Sequence, residues 1–290
     1  MNYLENMALW YRDYYGDKID ELLKALEKPA DKIALINPWI SESVRDEITA
    51  QGSAIDILGH RFYRLAKDHE PRMIEGLLSH YFLDLSSVFA PLLLPLKPGM
   101  QVLDMCSAPG GKLLVMLSRG ICDTHVVAND ISKDRAMRLK KVVHDFVPEH
   151  IRKHVKLTIK DAHFFGLTMA GRFDAVLLDA PCSSEGHVVL KESLLKSFKG
   201  PQKSLPMRQY SLLAAALLAL RPGGHVVYAT CSINPKENQG VIERLLHKKK
   251  GQCALIPFKL PTGQEGPCGW TILPHLHQAG PAFVALLQRL

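Results

Sequence analysis

Residues 101 to 112 read Gln-Val-Leu-Asp-Met-Cys-Ser-Ala-Pro-Gly-Gly-Lys, and the apolar run Leu-Leu-Val-Met-Leu follows at 113 to 117. The apolar pair Val102 and Leu103 predicts a buried strand, the Ala-Pro-Gly-Gly segment a tight turn, and the apolar run a helix. Doubly wound α/β folds open a nucleotide site in this order, because glycines let the backbone approach a ligand and the helix start offers free N–H groups. The turn lacks G-x-G-x-x-G spacing, which argues against a dinucleotide.

Predicted strands and helices alternate from this stretch onward. The strands are expected at Gln101–Asp104, His125–Asn129, Val155–Ile159, Ala175–Leu178, His225–Ala229 and Phe283–Leu287, and the helices near Lys112–Ser118, Asp134–Phe146, Pro206–Leu220 and Asn238–His247. A loop is expected after the third strand and a basic insert after the fourth. This alternation predicts right-handed crossovers and a mostly parallel sheet, with ligands at the carboxyl edge of the strands.

The first 75 residues predict a separate small α+β unit, and residues 76–290 predict the larger α/β domain. Its expected elements are a helix capped by Asp17 with Ile19, Leu22, Leu23 and Leu26 on one face, a helix at Ser41–Gln51, and strands at Ile33–Ile36 and Arg61–Leu65. The aromatic residues here favour core and helix contacts over a stacking surface: Tyr11, Tyr14, Tyr15 and Trp39. We assign this unit to positioning.

The composition of the 290 residues, 47% hydrophobic and 22% charged, is that of one large or two smaller domains with a full core. No apolar run approaches 18 residues, which argues against a membrane span. Residues 1–16 carry Glu5 and Asp13 against Arg12 alone, unlike a signal or transit peptide, and predict a cytoplasmic protein. The six cysteines show no C-x-x-C pair, which predicts free thiols and no metal.

The net charge of +7 is unevenly distributed along the chain. Residues 1–75 hold 10 Lys and Arg against 14 Asp and Glu, a balance of −4, whereas residues 76–290 hold 26 against 15, a balance of +11. Two basic clusters, Arg138–Lys160 and Lys191–Arg208, contribute much of this excess. A single cluster of this kind is commonly a solvated face, but two beside a ligand-binding fold favour nucleic acid as a partner.

Chemically useful side chains end the predicted strands. Asp104 ends the first strand, Asp130 the second and Asp179 the fourth, while Asp161 follows the third. Asp130 lies 26 residues beyond Asp104, where an acid that binds ribose hydroxyls is expected, although it could also cap the next helix. For Asp161 the sequence leaves two roles open, a contact with the ligand and a solvated acid in a loop.

Two cysteines lie at the same predicted edge. Cys182 stands in Asp-Ala-Pro-Cys-Ser-Ser at 179–184, and Cys231 in Tyr-Ala-Thr-Cys-Ser at 228–232. Thiols from adjacent strand ends, with an acid three residues before one of them, suit covalent catalysis because nearby cations or helix starts lower a thiol pKa. The other cysteines are expected to pack as small apolar residues: Cys106, Cys122, Cys253 and Cys268.

Three motifs in this order resemble the NOL/NOP/Sun family of RNA cytosine-C5 methyltransferases. They are Val102–Lys112, Asp179–Ser183, and Pro222–Gly224 running through Tyr228–Ser232 to Glu237–Asn238. The resemblance covers essentially the whole chain and implies a class I S-adenosylmethionine-dependent methyltransferase fold, Rossmann-like, after the small unit. Residues 128–132, 146–149 and 220–232 most resemble the mitochondrial-type member that modifies small-subunit rRNA.

The resemblance implies roles for individual residues. Cys231 would attack carbon 6 of cytosine, Asp179 would hold the base, Lys112 would supply charge, and Cys182 would serve release of the product. The target base must leave its stack to be reached. The residues expected to bind S-adenosylmethionine are Cys106, Ser107, Ala108, Pro109, Gly110, Gly111, Lys112, Asp130, Arg135, Asp161 and Asp179.

Several alternatives stay open for the substrate and the partners. RNA, most of all rRNA or a ribosomal subunit, is the expected partner, contacted in part by residues 1–75; a tRNA cytosine-C5 methyltransferase and a catalytically silent ribosome assembly factor that binds S-adenosylmethionine are the rival functions. DNA cytosine methylation would use the thiol of Cys182 as nucleophile instead. The chain departs from many members at Leu83-Asp84, a departure that the mitochondrial-type member shares, and at Ser184. The short acidic N-terminal unit, without an added RNA-binding module, leaves target recognition open. A monomer, with a possible helper protein, is expected.

Overall fold

Helices and an antiparallel sheet build the N-terminal part of the chain. The computed structural model describes residues 3–66, 68–120 and 123–290. Up to residue 84 its elements are α1 (Tyr3–Tyr15), α2 (Lys18–Leu26), β1 (Lys32–Ile36), α3 (Glu42–Thr49), β2 (Gly52–Ile57), β3 (His60–Leu65), β4 (Met73–Ile74), β5 (Leu77–Leu78) and β6 (His80–Asp84). The main sheet has the order β2-β3-β1-β6.

The predicted apolar face of α2 is confirmed, since Ile19, Leu22, Leu23 and Leu26 are all buried. The predicted cap is wrong: Asp17 has helical backbone angles and its side chain makes no capping hydrogen bond. Strands β2 and β6 were not predicted. Because β6 pairs with β1 along its whole length, this sheet continues to Asp84, and the division at residue 75 stays a prediction.

The larger part of the chain carries the alternating elements. They are a 3₁₀ turn (Leu85–Val88), α4 (Phe89–Leu93), β7 (Gln101–Asp104), α5 (Gly111–Ser118), β8 (His125–Asn129), α6 (Lys133–Phe146), α7 (Glu149–Arg152), β9 (Val155–Thr158), α8 (His163–Thr168), β10 (Phe173–Asp179), α9 (Glu185–Val189), α10 (Glu192–Ser197), α11 (Leu205–Ala219), β11 (Leu220–Thr230), α12 (Gln239–Lys248), β12 (Cys253–Leu255), β13 (Gln264–Gly266), β14 (Gly269–Ile272), α13 (Pro274–His277) and β15 (Ala282–Arg289).

A parallel core of strands in the order β11-β10-β7-β8-β9 carries the site. Strand β15 extends it antiparallel to β11, with β14, β13 and β12 beyond. The predicted α/β class is therefore confirmed. Two local predictions are wrong: the loop after the third strand contains α8, and β11 begins at Leu220, five residues before the expected start. The basic insert folds in part as the short helices α9 and α10.

Both faces of this sheet are covered by helices. Along β10, Ala175 and Leu177 pack into an apolar cluster with α5 and α6, while Val176 and Leu178 pack on the opposite face with α11 and α12. Because successive strand side chains point to opposite faces, a strand buried on both sides needs a continuous apolar run. The run Ala-Val-Leu-Leu at 175–178 meets that requirement.

The chain order places a crevice at the centre of the sheet. From β7 the chain moves outward through β8 to β9, then returns to add β10 and β11 on the other side of β7. Connections on the two sides diverge above β7 and β10, and ligands of open α/β sheets bind at such a switch point. The segments that follow Asp104 and Asp179 border it.

Candidate functional site

A cavity of about 420 Å³ opens at this carboxyl edge. Seven of the predicted site residues line it: Cys106, Asp130, Arg135, Asp161, Asp179, Cys182 and Cys231. The other wall residues were not predicted as site residues; they are Met105, Asn129, Ile131, Ala162, Ala180, Pro181, Ser184, Arg208 and Leu212. Ser107, Ala108, Pro109, Gly110, Gly111 and Lys112 are not among the described residues of the wall, although all were predicted to bind the cofactor.

Asp130 lines the cavity and is 2% exposed. One carboxylate oxygen accepts a hydrogen bond from the backbone N–H of Ser132 at 2.9 Å, and the other lies 3.4 Å from the Arg135 guanidinium. Arg135 also donates to the carbonyl of Ala108 in the glycine loop. The helix cap is Ser132 instead of Asp130. This arrangement leaves the buried carboxylate with capacity to accept from a ligand hydroxyl.

The two glycines of the loop serve different purposes. Gly110 has a φ of 118°, a conformation that glycine adopts readily, and stands at the start of α5. Gly111 is required by packing, since a Cβ there would lie 2.4 Å from the Cδ2 atom of Leu83. The sequence argument assigned both glycines to close approach of a ligand. For Gly111 the structure instead shows close approach of the N-terminal sheet.

Asp104 is a buried carboxyl at the end of β7. Both of its oxygens are buried without a hydrogen-bond partner among the described residues. Burial raises the pKa of Asp104 to about 7. An unpaired buried polar group is costly unless something satisfies it. Because Met105 and Cys106 next to it line the cavity, this group is a candidate for contact with a bound ligand.

Asp161 lines the cavity and is held by α8. Its carboxylate accepts from the backbone N–H of His163 at 3.0 Å and lies 2.6 Å from Nδ1 of the same residue. These hydrogen bonds lower the pKa of Asp161. The other ring nitrogen of His163 lies 2.9 Å from the Ser211 hydroxyl, so the acid is part of an ordered chain.

Asp179 and Lys112 form an ion pair beside the cavity. The Lys112 ammonium donates to the carboxylate of Asp179 at 2.7 Å. Burial lowers the pKa of Lys112, but the charge and hydrogen bond of Asp179 outweigh that effect and the pKa is raised. Lys112 is therefore a cation here, and it brings a positive charge to the place where Asp179 meets the cysteines.

The two cysteines face one another at the mouth of the cavity. Their sulfurs lie 3.2 Å apart, with Cys231 exposed and Cys182 half-buried. The Ser184 hydroxyl lies 3.1 Å from the sulfur of Cys231 and 3.3 Å from that of Cys182. The hydrogen bond from Cys182 lowers the pKa of Cys231, and the same contact raises the pKa of Cys182. Cys231 is thus the thiol that ionises more readily.

Two buried glutamates brace the loops that carry these thiols. Glu185 and Glu237 are both fully buried. Glu237 accepts from the Ser183 backbone N–H, the Gln209 amide and the Asn234 amide, each at 2.9 Å. Sequence reasoning missed Glu185, Gln209 and this bracing. The available signal was polar residues set directly behind each cysteine, where a buried loop needs partners for its backbone.

The remaining cysteines lie apart from the pair. Cys106 is in the cavity wall, and burial raises the pKa of its thiol. Cys253 and Cys268 are buried in apolar surroundings, as predicted. Cys122 lies outside the described residues. Among the residues that the structure describes, no group of His, Cys, Asp and Glu is arranged to hold a metal ion, and no helix is long and apolar enough to cross a membrane.

The predicted basic cluster Lys191–Arg208 adjoins the cavity. Arg208, at the start of α11, lines the cavity wall. The other cations of the cluster are exposed: Lys191, Lys196, Lys199 and Lys203. The cluster therefore presents exposed positive charge, and Arg208 brings one of its charges to the cavity.

Four aromatic residues of the N-terminal unit were expected to make core and helix contacts. Of these, Tyr11 is buried and Tyr14 is 43% exposed.

The sheet order, the switch-point cavity and the strand-end residues define a class I methyltransferase fold. A family model described as 16S rRNA methyltransferase RsmB/F matches residues 91–288. The chain belongs to this family, and the resemblance seen in the sequence is confirmed.

Curated relatives of this chain include two kinds of enzyme. The 5-cytosine rRNA methyltransferase NSUN4 of Bos taurus is 40% identical over 173 residues, which are 58% of this chain and 45% of that protein. The mitochondrial tRNA (cytosine(34)-C(5))-methyltransferase of Mus musculus is 30% identical over 231 residues, 74% of this chain and 65% of that protein. The chain spans about half the length of the NSUN4 relatives it matches.

Solved structures agree on the fold. A methyltransferase homologue from Pyrococcus horikoshii superposes with a TM-score of 0.77 at 24% identity, over 99% of each chain. NSun6 from the same organism, solved with the ligand SFG, superposes with a TM-score of 0.79 at 19% identity, over 98% of each chain.

The predicted cytoplasmic location is wrong. The finding that contradicts it is the name of the Mus musculus tRNA methyltransferase, a relative that matches 74% of this chain and is mitochondrial by name. The prediction rested on the acidic residues among positions 1–16, and these need not be the first residues of the whole protein. Acidic residues in α1 reflect its exposed face in the folded unit.

Proposed function

We propose that this chain is an S-adenosylmethionine-dependent RNA cytosine-C5 methyltransferase that acts on rRNA. The observation that carries the proposal is the pair of thiols, Cys182 and Cys231, 3.2 Å apart at the mouth of the cavity and beside the ion pair of Asp179 and Lys112. Its family and its NSUN4 relatives support the same reaction. Covalent attack on a ring carbon needs a thiolate, and this pair favours one on Cys231.

The cavity fits the proposed cofactor. Its volume lies in the range of about 300–1,000 Å³ typical of small-molecule sites. Asp130 supplies a buried acceptor for ribose hydroxyls, Asp104 supplies unpaired carboxyl oxygens, and Asp161 lies in the wall, on the side we assign to adenine. When bound, S-adenosylmethionine supplies the electrophilic methyl group that carbon 5 of cytosine accepts.

Cys231 acts on the target base as the nucleophile. Its thiolate forms a bond to carbon 6, and the displaced electron pair makes carbon 5 electron-rich. Asp179 holds the base and supports a proton at ring nitrogen 3, because it lines the same cavity as Cys231. Lys112 keeps Asp179 oriented and adds positive charge near the developing negative charge.

Cys182 serves the release of the methylated base. Cys182 first gives its own proton to water, because only its thiolate can act as the base. The proton on carbon 5 then moves to this thiolate, the electrons of that C–H bond form the 5,6 double bond, and the bond from carbon 6 to Cys231 breaks with its electron pair returning to the Cys231 sulfur. The contact with Cys231 and burial raise the pKa of Cys182, so its thiolate, once formed, is a strong base for the carbon-5 proton.

A tRNA substrate is the second candidate, because the mitochondrial tRNA relative matches 74% of this chain. Bisulfite sequencing of all RNA from a deletion strain and its parent separates the two. Loss of one rRNA cytosine methylation supports the proposal, and loss at a tRNA position supports the second candidate. Purified protein that transfers no methyl group to either RNA would refute both.

Action as a monomer with a helper protein stays a prediction of the sequence. Sedimentation of the purified protein measures whether it is a monomer. The need for a helper protein is tested by comparing the rate of methyl transfer on deproteinised rRNA with the rate on the isolated small subunit. A helper protein in the particle would make the second rate higher.

A further inference from the structure

The two cysteine loops begin where strand pairing ends. Strands β10 and β11 pair in register up to Asp179 and Ala229, and Ala180 donates a further backbone hydrogen bond to Ala229 at 2.8 Å. Cys182 and Cys231 lie beyond the end of this ladder, yet their sulfurs are 3.2 Å apart. Other contacts must therefore set the distance between the thiols.

Glu185 bridges the two loops. Its carboxylate contacts the Ser183 hydroxyl of the first loop and accepts from the Ser232 hydroxyl and the Ile233 backbone N–H of the second, both at 3.1 Å. The residue is fully buried. A carboxylate that takes donors from both loops holds them together, and in a dry interior such bonds are strong.

Helix α1 completes this bridge from the far end of the chain. The Tyr11 hydroxyl donates to Glu185 at 2.5 Å, across 174 positions of sequence. One turn further on, the Tyr15 hydroxyl donates to the carbonyl of Ile233 at 2.5 Å. Ile233 is thus held at both its N–H and its carbonyl, two residues after Cys231.

The second glutamate, Glu237, accepts no hydrogen bond from the N-terminal helix among the described residues. The described partners of the Glu237 carboxylate come from the larger domain, from the loops of Ser183 and Asn234 and from Gln209 of α11. None of these three donors to Glu237 comes from residues 1–75. The bridge through Glu185 takes a hydroxyl from α1, which makes the contribution of this helix separable by mutation.

We propose that Tyr11 and Tyr15 are positioning residues, whose hydroxyls hold Glu185 and Ile233 so that the two cysteine loops keep their thiols in contact. The inference rests on the proposed function, in which Cys182 must reach the base bonded to Cys231. Helix α1 thereby couples the N-terminal unit to product release. The hydroxyls do not touch the thiols; they act through Glu185 and through the backbone of Ile233.

The separation of the thiols can be measured without RNA. Glutathione disulfide takes two electrons and two protons from the thiols, which form a disulfide while two glutathione molecules are released, and the equilibrium constant reports how closely the protein holds them. Tyr11→Phe keeps the ring and removes the hydroxyl. We expect a fall of about tenfold in this constant, the size of one hydrogen bond to a charged group.

Tyr14→Phe is the matched control, because Tyr14 lies on the same helix and is 43% exposed. Mass spectrometry identifies the bridge between Cys182 and Cys231, and thermal unfolding shows that each variant is folded. If Tyr11→Phe fails to fold, Tyr15→Phe takes its place and is expected to lower the constant as well. A constant within about twofold of wild type, or an equal fall in Tyr14→Phe, overturns the proposal.

Catalysis supplies a second readout. Tyr11→Phe is expected to lower kcat with an unchanged KM for S-adenosylmethionine, and to raise the fraction of protein trapped on RNA after denaturation, since release is slowed. An unchanged kcat in a folded variant overturns the proposal. If wild-type protein transfers no methyl group, the proposed function fails by itself, and the disulfide equilibrium still decides whether α1 positions the thiols.

Discussion

Asp130 gives a direct test of the cofactor site. Asp130→Asn keeps the shape of the side chain and keeps one oxygen to accept from the Ser132 N–H, which the structure places at 2.9 Å. It removes the negative charge and turns the acceptor near Arg135 into a donor. A ribose hydroxyl would therefore lose its charged acceptor, while the loop retains its internal hydrogen bond.

The size of the effect follows from the burial of the group. At 2% exposed, Asp130 is shielded from solvent, so water does not replace the missing hydrogen bond. A hydrogen bond to a charged group contributes about 1.5–3 kcal/mol, which corresponds to about 10- to 150-fold in Kd. We expect S-adenosylmethionine and S-adenosylhomocysteine to be weakened alike, because both carry the ribose.

Isothermal titration calorimetry measures both affinities. Asp134→Asn is the control, because Asp134 is an exposed acid in the first turn of α6. This substitution removes the same charge four residues away from Asp130. Its Kd is expected to match wild type. A folded Asp130→Asn variant whose Kd lies within about twofold of wild type would refute the assignment of Asp130 to the ribose.

Four further outcomes are expected. Cys231→Ser should abolish both turnover and the RNA adduct, whereas Cys182→Ala should accumulate an adduct that survives denaturing electrophoresis; an adduct in Cys231→Ser that depends on Cys182 would reverse the two roles. In Cys182→Ala the rate of adduct formation should shift to higher pH, because the hydrogen bond that lowers the pKa of Cys231 is gone, and an unchanged pH profile would contradict this. Replacing Lys199 and Lys203 by alanine should weaken RNA binding and reduce the log-log salt slope by about one for each phosphate that the variant no longer neutralises, whereas an unchanged slope would make the cluster a solvated face. Asp104 holds its proton in the folded state up to about pH 7 against 3.8 in the unfolded state, so the free protein should become less stable as pH rises across that window, and Asp104→Asn should not show this decrease in thermal unfolding.

The central strands and their functional ends could be predicted from the sequence. The observed bounds of β7 and β8 are the predicted ones, because each is a short apolar run between turn residues. A parallel sheet brings the carboxyl ends of its strands to one edge, so Asp130, Asp179, Cys182 and Cys231 had to lie near one another. The ribose and thiol assignments themselves stay predictions.

Other elements depended on distant contacts and were missed for that reason. Strand β6 belongs to the N-terminal sheet because it pairs with β1, more than forty residues earlier in the chain. Helix α8 is short, and it is stabilised by packing on α11, which local propensity does not report. The glycine at 111 was assigned to a ligand, whereas its neighbour in space is Leu83.

The sequence by itself determined the fold class, the family and which side chains end the strands, since these follow from local apolar patterning and from short motifs. Only the tertiary structure decided that the thiols touch and what holds them there. The bond between Tyr11 and Glu185 joins positions 174 residues apart. No periodicity links such positions, because a buried carboxylate takes its donors from whatever the fold brings near it.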